Sequence, residues 1–311
     1  MKPYNKELFA NLKWFTQGLT FPDDERGSLN PFVWDVSERG ELTAEKLMLS
    51  NNIWGNKSLK RIEFDDYWGK SRANKQTTVF IETLQSHLTE IQIYRAYFPD
   101  DGFSLHTGKT NYGDWFGLCS PFDSHGQDYS GRTSEQFNIK NNSPSQQILN
   151  LVEELQNNSF PLTNQYARYQ SKWMWQYSDT KDKLIEKLMD SVKFFTTQNY
   201  KNIFNIAARY ANELAAIEAE IEYYSFYNNQ TSYYDEETGI EYELDIKEPI
   251  EYEYPPGQDY RELDNYLKST LNDLRVYTVG ANSSCNFHIY VLGKTQYDDW
   301  AGVLIDVQLN R

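Results

Sequence analysis

Two Gly-Lys-Thr triplets, Gly108-Lys109-Thr110 and Gly293-Lys294-Thr295, are the first residues in this chain whose types invite chemistry. In a phosphate loop that triplet follows a glycine five residues upstream, and the loop's N–H groups wrap a phosphate ahead of a helix. Gly102 stands six residues before Gly108, and no glycine occupies the required place before Gly293. Turn residues and a strand pattern follow each triplet, so the reading that stands is a β-hairpin. The four histidines, His87, His106, His125 and His288, fall at no metal-ligand spacing. None joins a serine or cysteine in a nucleophile setting. Paired carboxylates carry no signal in a chain with 45 Asp and Glu. We therefore expect no catalytic residue, no metal site and no cofactor.

What remains is binding chemistry. Asp114-Trp115 and Asp299-Trp300 close the two hairpins. In one reading the tryptophan packs beneath the hairpin and the aspartate bonds within the turn. In the other, the hairpin edge presents both groups to a partner, because tryptophan and tyrosine are the usual interface anchors. A third candidate is the acidic run Tyr233 to Ile246. There Ile240, Tyr242, Leu244 and Ile246 alternate with carboxylates, and Glu236, Glu237, Glu241, Glu243 and Asp245 would line one face of a hairpin.

Charge narrows the partner. The formal net charge is −15 and the pI about 4.8, which argues against direct nucleic-acid binding. It suits docking on a basic surface, such as the substrate grip of a DNA-processing enzyme. Cys119 and Cys285 occupy non-equivalent places and form neither a disulfide framework nor a zinc site. The opening residues lack the apolar core of a signal peptide, and no apolar run would span a bilayer. A cytoplasmic location without membrane attachment is the expectation.

The elements that position these residues come in two copies. Gly108 to Leu118 matches Gly293 to Val303, and Leu84 to Tyr94 matches Leu267 to Tyr277 in the same order. The offset changes by two residues between the blocks, as in a diverged tandem duplication. The first unit reads as an amphipathic helix (Leu8, Phe9, Leu12, Phe15, Leu19), a loop from Phe21 to Asn30, and a strand at Phe32 to Val36. A helix capped by Thr43, an extended Ile62-Glu63-Phe64, a helix from Thr78 to Leu88 and a strand at Ile91 to Tyr94 follow. Residues 121–146 read as a linker. In the second unit an amphipathic helix starts near Gln147, Trp173 to Tyr177 replaces the Phe32 strand, and Asp182-Lys183-Leu184 echoes Glu45-Lys46-Leu47. Residues from about 199 to 258, with an alanine-rich helix over 203–224, have no counterpart in the first unit. The expected organisation is α+β, with domains at 1–120 and 147–311.

The joint order of these features resembles the nuclease A inhibitor family. It runs from Leu12-Lys13-Trp14-Phe15 through Pro31-Phe32-Val33-Trp34, Leu42-Thr43-Ala44-Glu45 and Ile62-Glu63-Phe64-Asp65. It closes on Ile91-Gln92-Ile93-Tyr94-Arg95 and the Gly108 hairpin, and in the second unit it recurs from about Tyr260 to Val307. The resemblance implies two α-β-α sandwich domains, the second carrying the insertion. It also implies an inhibitor that blocks the active or DNA-binding site of a nuclease or other DNA-processing enzyme, as an immunity or phage counter-defence protein. Family members use acidic side chains and their C-terminal end as a plug, and end in a hydroxyl-bearing residue. Here the last residue is Arg311 and the first unit runs on through Ser120-Pro121-Phe122, so the acidic insertion is the expected substitute. The alternative is a structural module that self-associates through the duplicated fold and the 203–224 helix.

Overall fold

The computed structural model describes residues 2–21, 24–53, 56–69, 75–97, 102–123, 143–164, 169–170, 172–227, 232–235, 239–243, 257–280 and 286–308. In the first half the main elements are α1 (Pro3–Thr16), β1 (Asp24–Trp34), α2 (Ala44–Ser50), β2 (Leu59–Ile62), α3 (Lys75–His87), β3 (Leu88–Tyr97), β4 (Gly102–Thr110) and β5 (Trp115–Cys119). The second half repeats that order. It has α4 (Gln146–Asn157), β6 (Trp173–Ser178), α5 (Lys181–Ser191), β7 (Phe195–Asn199), α6 (Ile203–Tyr227), α7 (Gln258–Thr270), β8 (Asn272–Val279), β9 (Asn286–Lys294) and β10 (Trp300–Gln308). Of these only α6 has no partner in the first half. The fold is α+β, with two main sheets and helices on their faces.

The sheets do not follow the chain. One runs β1-β10-β9-β8-β7, with Thr20–Phe21 at its edge; the other runs β6-β5-β4-β3-β2, with Leu162–Thr163 at its edge. Each half therefore sends its first long strand to the sheet of the other half. Trp34 pairs with Trp300 and Val33 with Ala301 across β1 and β10. Ser178 pairs with Trp115 and Tyr177 with Phe116 across β6 and β5. Chain boundaries at 120 and 147 do not coincide with sheet boundaries, and a cut between them removes an outer strand from both sheets.

Local sequence explains most elements. Pro3 starts α1, where its missing N–H costs nothing, and Leu8 and Leu12 supply the buried stripe. Thr43 and Thr180 each cap the helix that follows by accepting from the N–H of Lys46 and Lys183. Glu90 and Asp273 both take a left-handed conformation (φ 51° and 50°) at a β-bulge, where the pairing of β3 with β4 and of β8 with β9 shifts register. At Gly302, φ is +151° and a Cβ would lie 1.9 Å from the Val291 carbonyl oxygen. No side chain fits there.

Two expectations need correction. Residues 24–30 are not a loop but the first part of β1, with Leu29 paired to Ile305 and Asn30 to Leu304. Asp24 and Ser28 pair back on Phe21 and Thr20, so the segment is the return arm of a local hairpin before it joins β10 at Leu29. Phe64 is not extended: Glu63 precedes a short helix, Phe64–Trp68, whose Trp68 is buried.

Three apolar layers hold the assembly. The layer between the sheets contains Trp34, Leu47, Met48, Tyr94, Trp115, Leu184, Ile185, Tyr290 and Trp300, with α2 and α5 sandwiched within it. Leu8, Leu12, Leu263, Leu267, Val291 and Val303 fill the outer face of the first sheet beneath α1, α6 and α7. Phe80, Leu84, Phe116, Leu118, Leu151 and Leu155 do the same for the second, beneath α3 and α4. The two expected α-β-α sandwiches are thus present with a shared middle layer of helices. Each large side chain so buried contributes about 1.5–3 kcal/mol, and all three layers join residues of both halves.

Candidate docking site at the two hairpins

Both Gly-Lys-Thr triplets end a strand that turns back on itself. The N–H of Thr110 donates to the Asp114 carbonyl at 2.7 Å, and that of Thr295 to the Asp299 carbonyl at 2.8 Å. Gly113 (φ 96°) and Asp298 (φ 60°) supply the left-handed residue of each turn. Gly108 and Gly293 let these strands lie against Leu88 and Leu271; a Cβ would come within 2.9 and 2.8 Å of those side chains. No helix follows either triplet, which settles the hairpin reading.

The tryptophans turn inward. Trp115 and Trp300 belong to the layer between the sheets, and the Lys294 ammonium lies 5.5 Å from the Trp300 ring centre. Asp299 is fully buried. Its carboxylate accepts from Lys2 Nζ (2.9 Å), Asn5 Nδ2 (3.0 Å) and the Val36 N–H (2.8 Å). Burial alone would raise its pKa, but these donors outweigh it and leave the carboxyl below its ordinary value. Asp35, in the same cluster, is lowered to about 2, chiefly by the Ser37 hydroxyl. Asp299, Trp300 and Trp115 are therefore fastenings of the fold, and a docked partner would not reach them directly. Asp114 differs: it is half-exposed, and among the described residues its carboxylate takes no hydrogen bond.

The hairpin tips expose a residue that sequence reasoning passed over. Tyr112 is 80% exposed and its counterpart Tyr297 is 55% exposed, the latter edge-on to Tyr4 at 4.9 Å. The signal was present in the repeated pattern Gly-Lys-Thr-x-Tyr, which keeps the tyrosine in both copies. The acidic segment is described in part: Ser232–Asp235 pairs antiparallel with Ile240–Glu243, opposing Tyr234 to Glu241 and Ser232 to Glu243. Glu236, Glu237 and Asp245 lie outside the described residues. Among the described residues no cluster of His, Cys, Asp or Glu could hold a metal ion, and no helix is long and apolar enough to cross a membrane.

These features define an α+β protein built around two matching hairpins. Residues 247–307 match the family described as nuclease A inhibitor-like protein, so the chain contains a nuclease A inhibitor-like domain. The matched stretch includes α7 and the strands β8, β9 and β10 up to Val307. It leaves out β1, the strand that extends this sheet from the other half. No curated protein matches the chain.

Proposed function

We propose that the protein binds a nuclease or other DNA-processing enzyme and blocks its active or DNA-binding site. The match at residues 247–307 carries this reading, because it falls on the centre of the first sheet and includes the Gly293 hairpin. The net charge of −15 supports it: an acidic protein competes with DNA phosphates for the same cationic groups. The contact surface we favour includes Tyr112, Asp114 and Tyr297 at the hairpin tips, with Glu241 and Glu243 on the inserted hairpin. The inhibitor would act as an immunity or counter-defence protein, without catalysing a reaction itself.

Affinity capture at low salt, followed by plasmid-cleavage assays on the captured enzyme, tests this reading. Stoichiometric inhibition that weakens steeply with salt is expected. Failure to capture or inhibit any nuclease would refute it. One observation favours the self-association alternative: Ile206 and Leu214 are 58% and 43% exposed on one face of α6, with Tyr210 between them. A discrete oligomer in sedimentation velocity, without partner, would support that reading instead.

A further inference from the structure

The repeat allows a comparison within one molecule. In the first half, the carboxylate of Glu45 on α2 lies against Lys181, the first residue of α5. Lys181 Nζ is 2.8 Å from Glu45 Oε2 and 5.7 Å from the centre of the Tyr94 ring. The Tyr94 hydroxyl donates to Glu45 at 2.6 Å. An ammonium group thus fills this site, held by a carboxylate and lying near an aromatic ring.

The matching site in the other half is open. Asp182 stands where Glu45 does, one residue after the helix start, and Tyr277 stands for Tyr94. The residue matching Lys181 is Ala44, which follows its Thr43 cap as Lys181 follows Thr180. Without the lysine there is a cavity of about 340 Å³, lined by Ala44, Asp182, Glu186 and Tyr277 among others. That is near the lower end of the range for ligand sites, about 300–1,000 Å³.

Three carboxylates (Asp182, Glu186, Asp273) and three cations (Lys183, Arg275, Lys294) line the cavity, and the Lys294 ammonium lies against the Trp300 ring. Arg275 is held by both oxygens of Asp273, at 3.3 and 2.9 Å. Lys183 is paired to Asp179 at 2.9 Å. Asp182 lies exposed at the rim and makes no hydrogen bond or ion pair among the described residues. Glu186 lies half-buried deeper in, where it accepts from the Thr197 hydroxyl. Desolvation raises its pKa, and the Thr197 hydroxyl and the Arg275 charge offset only part of that rise.

We propose that this cavity receives a primary alkylammonium group, the side chain of a lysine on a docked protein partner. The ammonium bonds Asp182 and lies near the Tyr277 ring, repeating the arrangement of Lys181 with Glu45 and Tyr94. A partner lysine is the source we favour because the carboxylate stands at the rim and the chain is strongly acidic overall. That source rests on the docking reading above, whereas the ammonium chemistry does not.

The test uses the full chain and Nα-acetyl-lysine methylamide as probe, followed by amide and indole shifts in two-dimensional NMR. Saturable shifts at Trp300 and Tyr277 are expected, with much smaller ones for the norleucine analogue. Ala44→Lys should supply the missing ammonium from within and abolish the response. Asp182→Asn, which keeps the volume, should weaken binding about tenfold or more. No saturable shift, an equal response to norleucine, or full binding in both variants would overturn the proposal. Binding of n-butylamine with exclusion of the lysine amide would overturn the protein source. These outcomes hold whether or not a nuclease is inhibited, so they separate this inference from the functional one.

Discussion

Replacing Asp299 with alanine should loosen the fold far more than replacing its counterpart Asp114. Asp299 fastens the N-terminal segment to β10 across nearly the whole length of the chain, through Lys2, Asn5 and the Val36 N–H. Asp299→Ala strands the Val36 N–H and weakens the bonding of buried Asn5, whose other acceptor, Asp35, is 3.4 Å away. Each orphaned donor costs about 1–3 kcal/mol. Lys2 is 39% exposed and recovers water, so it adds little. Relief of repulsion between Asp35 and Asp299 offsets part of the loss. The net is about 2–5 kcal/mol, or roughly 3–8 °C in Tm for a chain of this size. Asp114→Ala removes no such bond and should stay within about 0.5 kcal/mol of the parent. Guanidinium unfolding gives the comparison, and hydrogen exchange should show α1 losing protection in Asp299→Ala. Equal destabilisation by the two variants, or an unchanged midpoint for Asp299→Ala, would refute the asymmetry between the hairpins.

Other consequences can be checked with the same material. Residues 1–142 and 143–311, expressed together, should copurify as a folded pair, while either piece alone lacks an outer strand and exposes the central layer; a cooperative monomer from 1–142 would contradict the strand exchange. Gly302→Ala should cost at least about 3 kcal/mol, because a Cβ meets the Val291 carbonyl; a wild-type melting curve would refute that. Burial lowers the pKa of His106 to about 3, below its unfolded value of about 6.5, so stability is full above pH 6.5 and falls as pH drops towards 3. The slope approaches 1.4 kcal/mol per pH unit, and it should flatten in His106→Leu measured by denaturant midpoints between pH 7 and 4. Tyr112→Ala should weaken capture of the partner by about 1 kcal/mol or more while leaving Tm unchanged; unaltered capture would remove that tip from the contact surface.

The sequence was most legible where local chemistry decides structure. Thr43, the apolar stripes of α1 and α4, and the repeated hairpins were read from neighbours a few residues apart. The beginning of β1 was not: it pairs back on Thr20–Phe21 as a tight hairpin, and pairing with β10 starts only at Leu29. The exchange of β1 and β6 has no local signal at all: both strands look the same whichever sheet receives them. The site residues divide likewise. Asp299 and Asp114 are equivalent by sequence, yet one is buried because α1 brings Lys2 and Asn5 against it. In the other half α4 presents Ile148, buried in an apolar layer, at the position matching Asn5. Loss of the amide, and of the ammonium at the position matching Lys2, which is Ser145, separates a fastening from a free carboxylate.

Strand exchange also bears on how such a protein could diverge in function. When each sheet takes its outer strand from the other half, neither half can be lost without exposing the edge of its partner. Both halves are then needed for stability. Chemistry that one copy must keep for packing can change in the other. Lys181 against Glu45 and Tyr94 closes one site, while Ala44 opposite Asp182 and Tyr277 leaves the other open. Of two equivalent positions, one serves the fold and the other is available to a partner. The same division separates buried Asp299 from half-exposed Asp114, with the closed and open members lying in opposite copies. The two halves thus present different surfaces at matching positions.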